Sequence, residues 1–159
     1  MFEKVHCVNN FWDMTILNGV ADYNNKKYYF NCIFSDNKNY WTDIYELTLL
    51  DNYVFKLSID NWEYWKKWLK GFFNEESFSI PHPVEYAKSR KKLTVEKIFD
   101  LKNIDRDKIG LTEKYYQNEI IIDKYIKKNK PIYRAKGIFS GDINGINGTE
   151  VKWENVIGI

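Results

Sequence analysis

Three features predict an α+β fold, an antiparallel β-meander covered by a Trp-rich helix, with further helices and a C-terminal β-hairpin. They are alternating apolar and polar residues through the first third, a helical stripe of tryptophans, and two short alternating segments near the C-terminus. Period-two alternation is the signature of a half-buried strand, and a stripe at three-to-four-residue spacing is that of an amphipathic helix.

The strands come first. In residues 11–17, Trp12, Met14 and Ile16 share a face, and Asn18-Gly19 then offers the positive-φ pair of a tight turn. Residues 20–23 and 26–34 flank Asn24-Asn25, a second two-residue hairpin signal. On the longer segment Tyr28, Phe30, Cys32 and Phe34 lie together. A polar turn at residues 35–39 leads to residues 40–50, where Trp41, Asp43, Tyr45, Leu47 and Leu49 share one face. Antiparallel strands joined this way leave one face for a covering layer.

The cover is expected from residues 61–73, where Trp62, Trp65, Leu69, Phe72 and Phe73 gather on one arc with Trp68 at its edge. Asp51 or Asp60 is placed to cap it. Pro81 and Pro83 mark a loop around His82. One or two helical turns over residues 84–92 follow, then a short helix over 95–102 capped by Thr94. A last helix opens at Asp105 or Thr112, ends near Lys128 and is stopped by Pro131. Residues 133–139 and 151–154 alternate again, as a hairpin that either extends the first sheet or forms a second one. No break in composition divides the chain, so residues 1–159 read as one domain.

Composition narrows the function classes. With 44% hydrophobic and 18% aromatic residues the chain has the apolar surface to fold. No run approaches the ~18 apolar residues of a membrane span, and residues 1–6 lack the pattern of a secretion signal. The expectation is a cytoplasmic protein. Twenty-one lysines, 18 isoleucines, 17 asparagines and 12 tyrosines against three alanines and three arginines point to an AT-rich bacterial genome. Residues 1–51 carry four Lys/Arg against seven Asp/Glu, residues 52–140 carry 19 against 12, and residues 141–159 carry one against three. The basic middle would suit nucleic acid, but its lysines alternate with acids as on a solvated helix face.

Chemistry has few candidates. Asp43 and Glu46 fall on opposite faces of one strand and cannot act as an acid–base pair. Asp43 lies among the aromatics Trp41 and Tyr45. His6 beside Cys7 has no orienting acid in sequence. Cys7 and Cys32 read as small buried hydrophobes, and no spacing of Cys and His makes a metal site. Residues 140–148 depart from a calcium loop and read as a glycine-rich hairpin loop. No phosphate loop or nucleophile elbow is present. The reading therefore holds no catalytic residue, no metal and no cofactor. Its binding candidates are Trp41, Asp43, Tyr45, Trp65, Trp68 and His82.

Residues 19–23, 28–34, 43–47 and 62–65 together resemble a group of small uncharacterised bacterial proteins. The likeness covers the first half of the chain, fades past Pro83 and implies no activity. In size and style the chain also resembles immunity proteins that neutralise bacterial toxins. The expected function is a protein–protein interaction module, immunity-like in one version, using an exposed patch around Trp41, Asp43, Tyr45 and Trp68. The alternative is a small-molecule-binding protein or enzyme, with a cavity between sheet and helix where Asp43 or His82 meets Trp65. A third reading is nucleic-acid binding, which needs residues 88–92 and 124–130 on one basic face.

Overall fold

The computed structural model describes the backbone of residues 1–37, 40–73 and 106–159, and their side chains apart from 68–73 and 106–112. Among them are six strands and two helices: β1 (Glu3–Trp12), β2 (Thr15–Tyr23), β3 (Lys26–Ser35), β4 (Tyr40–Leu49), α1 (Asn52–Phe73), α2 (Arg106–Lys128), β5 (Tyr133–Gly141) and β6 (Thr149–Gly158). The chain divides into two compact units, Met1–Ile59 with Lys124–Ile159, and Asp60–Asp123.

The first unit holds all six strands, which close in the order β1-β2-β3-β4-β5-β6 into an antiparallel barrel. This overturns the meander covered by a Trp-rich helix. The apolar strand faces are buried by one another across a lumen, and no described residue of α1 belongs to the core cluster they form. The C-terminal pair is no separate hairpin. β5 pairs with β4, and β6 pairs with β1 over Glu3–Val5 and Thr149–Val151, which closes the ring. Of the further helices expected, those over residues 84–92 and 95–102 lie outside the described residues.

Four rings fill the lumen, Phe30 from β3, Tyr45 from β4, Phe139 from β5 and Trp153 from β6. Their centroids lie 5.4–6.1 Å apart in edge-on or tilted pairs. Each such contact is worth about 0.5–1.5 kcal/mol beyond the area it buries. Tyr23, Tyr28 and Tyr133 make a second ring cluster toward the other end. Rings this large need small neighbours. A Cβ on Gly137 would lie 3.0 Å from both Tyr45 and Trp153, and one on Gly19 would lie 2.9 Å from Phe30 and 2.1 Å from the Cys7 carbonyl oxygen.

Gly19 corrects a second expectation. The first hairpin turns at Asp13-Met14, with φ of 41° and 65°, while Asn18 and Gly19 lie inside β2 opposite Asn31 and Phe30. The residue that best suits a turn is needed instead for close approach to a neighbouring strand. β1 extends back to Glu3 and carries register shifts between Val5 and Cys7, Val8 and Asn10, and Asn10 and Phe11. These bulges break the alternation that would have marked it. Asn24 and Asn25, at φ of 51° and 63°, do form the β2–β3 turn, and Asp51 caps α1 through its carboxylate and the Val54 amide at 2.8 Å.

In the second unit the described parts of α1 and α2 pack together. Trp62 and Tyr64 are buried, and the Tyr64 ring lies 5.5 Å from that of Tyr115. Buried Asn61 donates to the Tyr115 carbonyl and to Glu119, and buried Asn118 donates to Asn61 Oδ1 at 3.0 Å. Burial, with Asp123 nearby, pushes the Glu119 carboxyl above its usual pKa. No described helix is long and apolar enough to cross a membrane.

Candidate functional site

One end of the barrel is open. The β1–β2 turn, the first residues of β4, the last residues of β5 and the loop that follows surround a pocket of about 390 Å³. Its apolar walls are Met14, Ile16, Trp41, Tyr45, Phe139 and Ile143. Thr15, Thr42 and Asp43 supply polar atoms, and Gly137 and Gly141 leave backbone at the surface. The loop holds its shape by local bonds: the Gly145 amide donates to the Asp142 carbonyl, the Ile146 amide to Asn144 Oδ1, and the Thr149 hydroxyl to the Asp142 carbonyl. Gly141, Gly145 and Gly148 take positive φ.

Trp41, Asp43 and Tyr45 therefore converge as strand alternation predicts, but in three different states. Trp41 is half-buried, edge-on to Phe34 with centroids 4.9 Å apart. Asp43 is exposed, with one oxygen 3.7 Å from Lys136 Nζ. Tyr45 is only 2% exposed and donates its hydroxyl to the Ile16 carbonyl. It is a wall of the lumen, so the expected exposed patch is corrected at this residue. Burial drives the Tyr45 phenol far above its usual pKa, with Cys32 beside it adding to the effect. Burial likewise raises the Cys32 thiol. Both stay neutral at ordinary pH, so neither is an activated nucleophile.

Trp65 belongs to the second unit and is half-buried there. Side-chain placement at Trp68, and all of His82, lie outside the described residues. Every described residue lining the pocket at Asp43 comes from the barrel unit.

Around the mouth is an apolar collar that the sequence reading missed as a site. Phe11, Trp12, Met14, Phe34 and Tyr40 are exposed, Trp12 by 68% and Met14 by 84%. Solvent-exposed aromatics in such a group mark binding surfaces. The alternation of Trp12, Met14 and Ile16 was visible, but a turn placed at Asn18-Gly19 hid that they crown a hairpin tip. The turns here carry exposed Asp13, Asp36 and Asp142 and, among the described residues, no cation; Lys38 in the same turn lies outside them. At the opposite end, where β5 begins, Lys124, Lys127, Lys128 and Lys130 are exposed. The described turns at the mouth are thus acidic and apolar.

A second constellation sits on the barrel's outer surface. His6 Nε2 and Lys27 Nζ both meet Asp22 Oδ1, at 2.7 and 2.6 Å, and the His6 ring stands edge-on to Phe55 of α1 with centroids 5.0 Å apart. The acid that orients His6 comes from the neighbouring strand, so nothing in sequence could reveal it. Burial lowers the His6 pKa against the pull of Asp22. Burial opposes ionisation of Asp22, but the bonds from Lys27 and His6 prevail and hold its carboxyl below the usual range. With the Phe55 ring packed on it, this group ties the start of α1 to the barrel.

No protein-family model, no curated protein and no solved structure matches this chain.

Proposed function

We propose that the barrel mouth is a protein-recognition surface, and that the chain acts as an interaction module in the cytoplasm. The observation that carries this reading is the exposed collar of Phe11, Trp12, Met14, Phe34 and Tyr40 around an open pocket. Burying such aromatics in a partner contributes the central energy of an interface, and the pocket gives one partner side chain a place to anchor. Strain at Met14 supports the same reading. A non-glycine residue at φ 65° costs about 1–2 kcal/mol, and such strain collects where function needs a particular surface. The pocket lining holds one carboxylate, Asp43, among the described residues. Asp43 pairs with Lys136 Nζ at 3.7 Å, as a surface ion pair does. Toxin neutralisation, as by immunity proteins, is one form this interaction would take.

The test places a photo-crosslinking residue at Trp12 or Met14, and as controls at Tyr53 or Ile157, which are also exposed. In cells of the natural host, one protein should crosslink from the collar positions and not from the controls. Equal yield from both sets, or none from the collar, would overturn the reading. The volume of the pocket also falls within the range of small-molecule sites. A crosslink-free collar together with a co-purifying apolar compound would favour that second reading.

A further inference from the structure

The β4–β5 ladder stops at the pair Ile44 and Lys136, yet both strands run on toward the mouth. β4 continues back to Tyr40 along β3, and β5 continues to Gly141 along β6. The two diverge, and Trp41, Thr42 and Asp43 face Gly137, Phe139 and Gly141 across the pocket. On the β4 side the backbone is partly occupied: the Ile44 amide donates to Thr42 Oγ1 at 3.2 Å, and that hydroxyl donates to the Ile33 carbonyl at 2.6 Å. On the β5 side no strand among the described residues pairs residues 137–141 opposite β6. Alternate residues of an antiparallel strand direct both N–H and C=O to such an edge.

Protein edges of this kind are normally blunted by charge or proline. The open edge of β6 beyond its pairing with β1 follows that rule, since it carries Lys152 and Glu154. Residues 137–141 read Gly-Ile-Phe-Ser-Gly, with neither charge nor proline. This is the edge that lines the pocket, and nothing among the described residues pairs with it.

We propose that the partner presents an extended segment that adds as a strand to β5 at residues 137–141. An apolar side chain of the segment enters the pocket, and basic residues flanking it face Asp13, Asp36 and Asp142. The proposal rests on the reading of the mouth as a protein-recognition surface and specifies how that surface is used. Charge decides against a second copy of this chain as the occupant. Two mouths face to face would set the same carboxylates against one another, whereas a basic segment is attracted. Strand addition draws affinity from backbone bonds and specificity from alternate side chains, which matches an edge beside a single pocket.

The test selects 12-residue peptides from a random display library on the full chain, then measures synthetic copies. Enriched sequences should alternate apolar residues with Lys or Arg. Asp36→Lys with Asp142→Lys should weaken them by about tenfold or more. N-methylation of alternate backbone amides of the peptide should cost about tenfold, while methylation of the intervening amides costs little. Hydrogen exchange at amides within 137–141 should slow on binding. Peptides that respond to the charge reversals but tolerate every N-methylation would overturn strand addition and leave mouth recognition standing. No enrichment, or binding indifferent to the charge reversals, would overturn both. A concentration-dependent dimer of the free chain that protects amides 137–141 would assign the edge to a second copy and overturn the basic segment as occupant.

Discussion

Met14 shows how one residue carries both strain and surface. It occupies the second position of the Asp13-Met14 turn in left-handed backbone, and its side chain lies in solvent. Glycine relieves that strain, so Met14→Gly should raise unfolding free energy by about 1 kcal/mol in urea denaturation, while lowering peptide or partner binding. A gain in stability coupled to a loss of binding is the outcome that supports a functional collar. At His6 the prediction concerns pH. Its folded pKa lies below the ordinary 6.5, so the unfolded chain binds the proton more readily. Stability from this group is present above 6.5 and is lost as pH falls from there through the lower folded pKa. Asp22, held below the usual range, keeps its contribution to more acid pH. Urea titrations at about pH 7.5 and 5.5 should show a drop in stability that His6→Gln flattens.

At the scale of elements, the helix pair of the second unit is held in register by polar groups inside an aromatic contact. Asn118 donates to Asn61, and Asn61 reaches Tyr115 and Glu119. A buried polar atom that loses its partner costs about 1–3 kcal/mol, whereas removing both partners costs much less. Asn118→Ala should therefore destabilise the chain by that amount. The pair Asn61→Leu with Asn118→Leu should lie closer to wild type than the two single changes added together. A double-mutant cycle by thermal unfolding measures the difference. Additive effects would mean that the asparagines do not act as one network.

The whole barrel depends on its last strand. Val151 is fully buried and Trp153 touches Phe30, Tyr45 and Phe139. β6 also makes the three-residue pairing with β1 that completes the ring. Removing residues 149–159 should abolish cooperative unfolding and near-ultraviolet circular dichroism, and expose apolar surface to a hydrophobic dye. Ile157→Ser, at an exposed position of the same strand, should stay within about 0.5 kcal/mol of wild type. If the truncated chain kept a cooperative transition, closure would not be what stabilises this unit.

Local patterns were legible in the sequence where the physics is local. Alternation marked β3 and β4, Asn24-Asn25 supplied its own positive φ, Asp51 capped α1, and lysines with Pro131 marked the end of α2. The same alternation put Trp41, Asp43 and Tyr45 on one face, which was the legible part of the site. Bulges erased the period of β1, and Gly19 was read as a turn because its partner, the Cys7 carbonyl, comes from another strand. The tryptophan stripe identified α1 as an amphipathic helix but not what it covers, since any apolar layer satisfies such a stripe. Met14, Gly137 and Phe139 join the site only through inter-strand register. Sequence alone determined the period of most elements and several of their ends. Tertiary structure decided closure of the barrel, burial of Tyr45, and the seam at 137–141, because pairing between strands as distant as β1 and β6 is set by how the whole lumen packs.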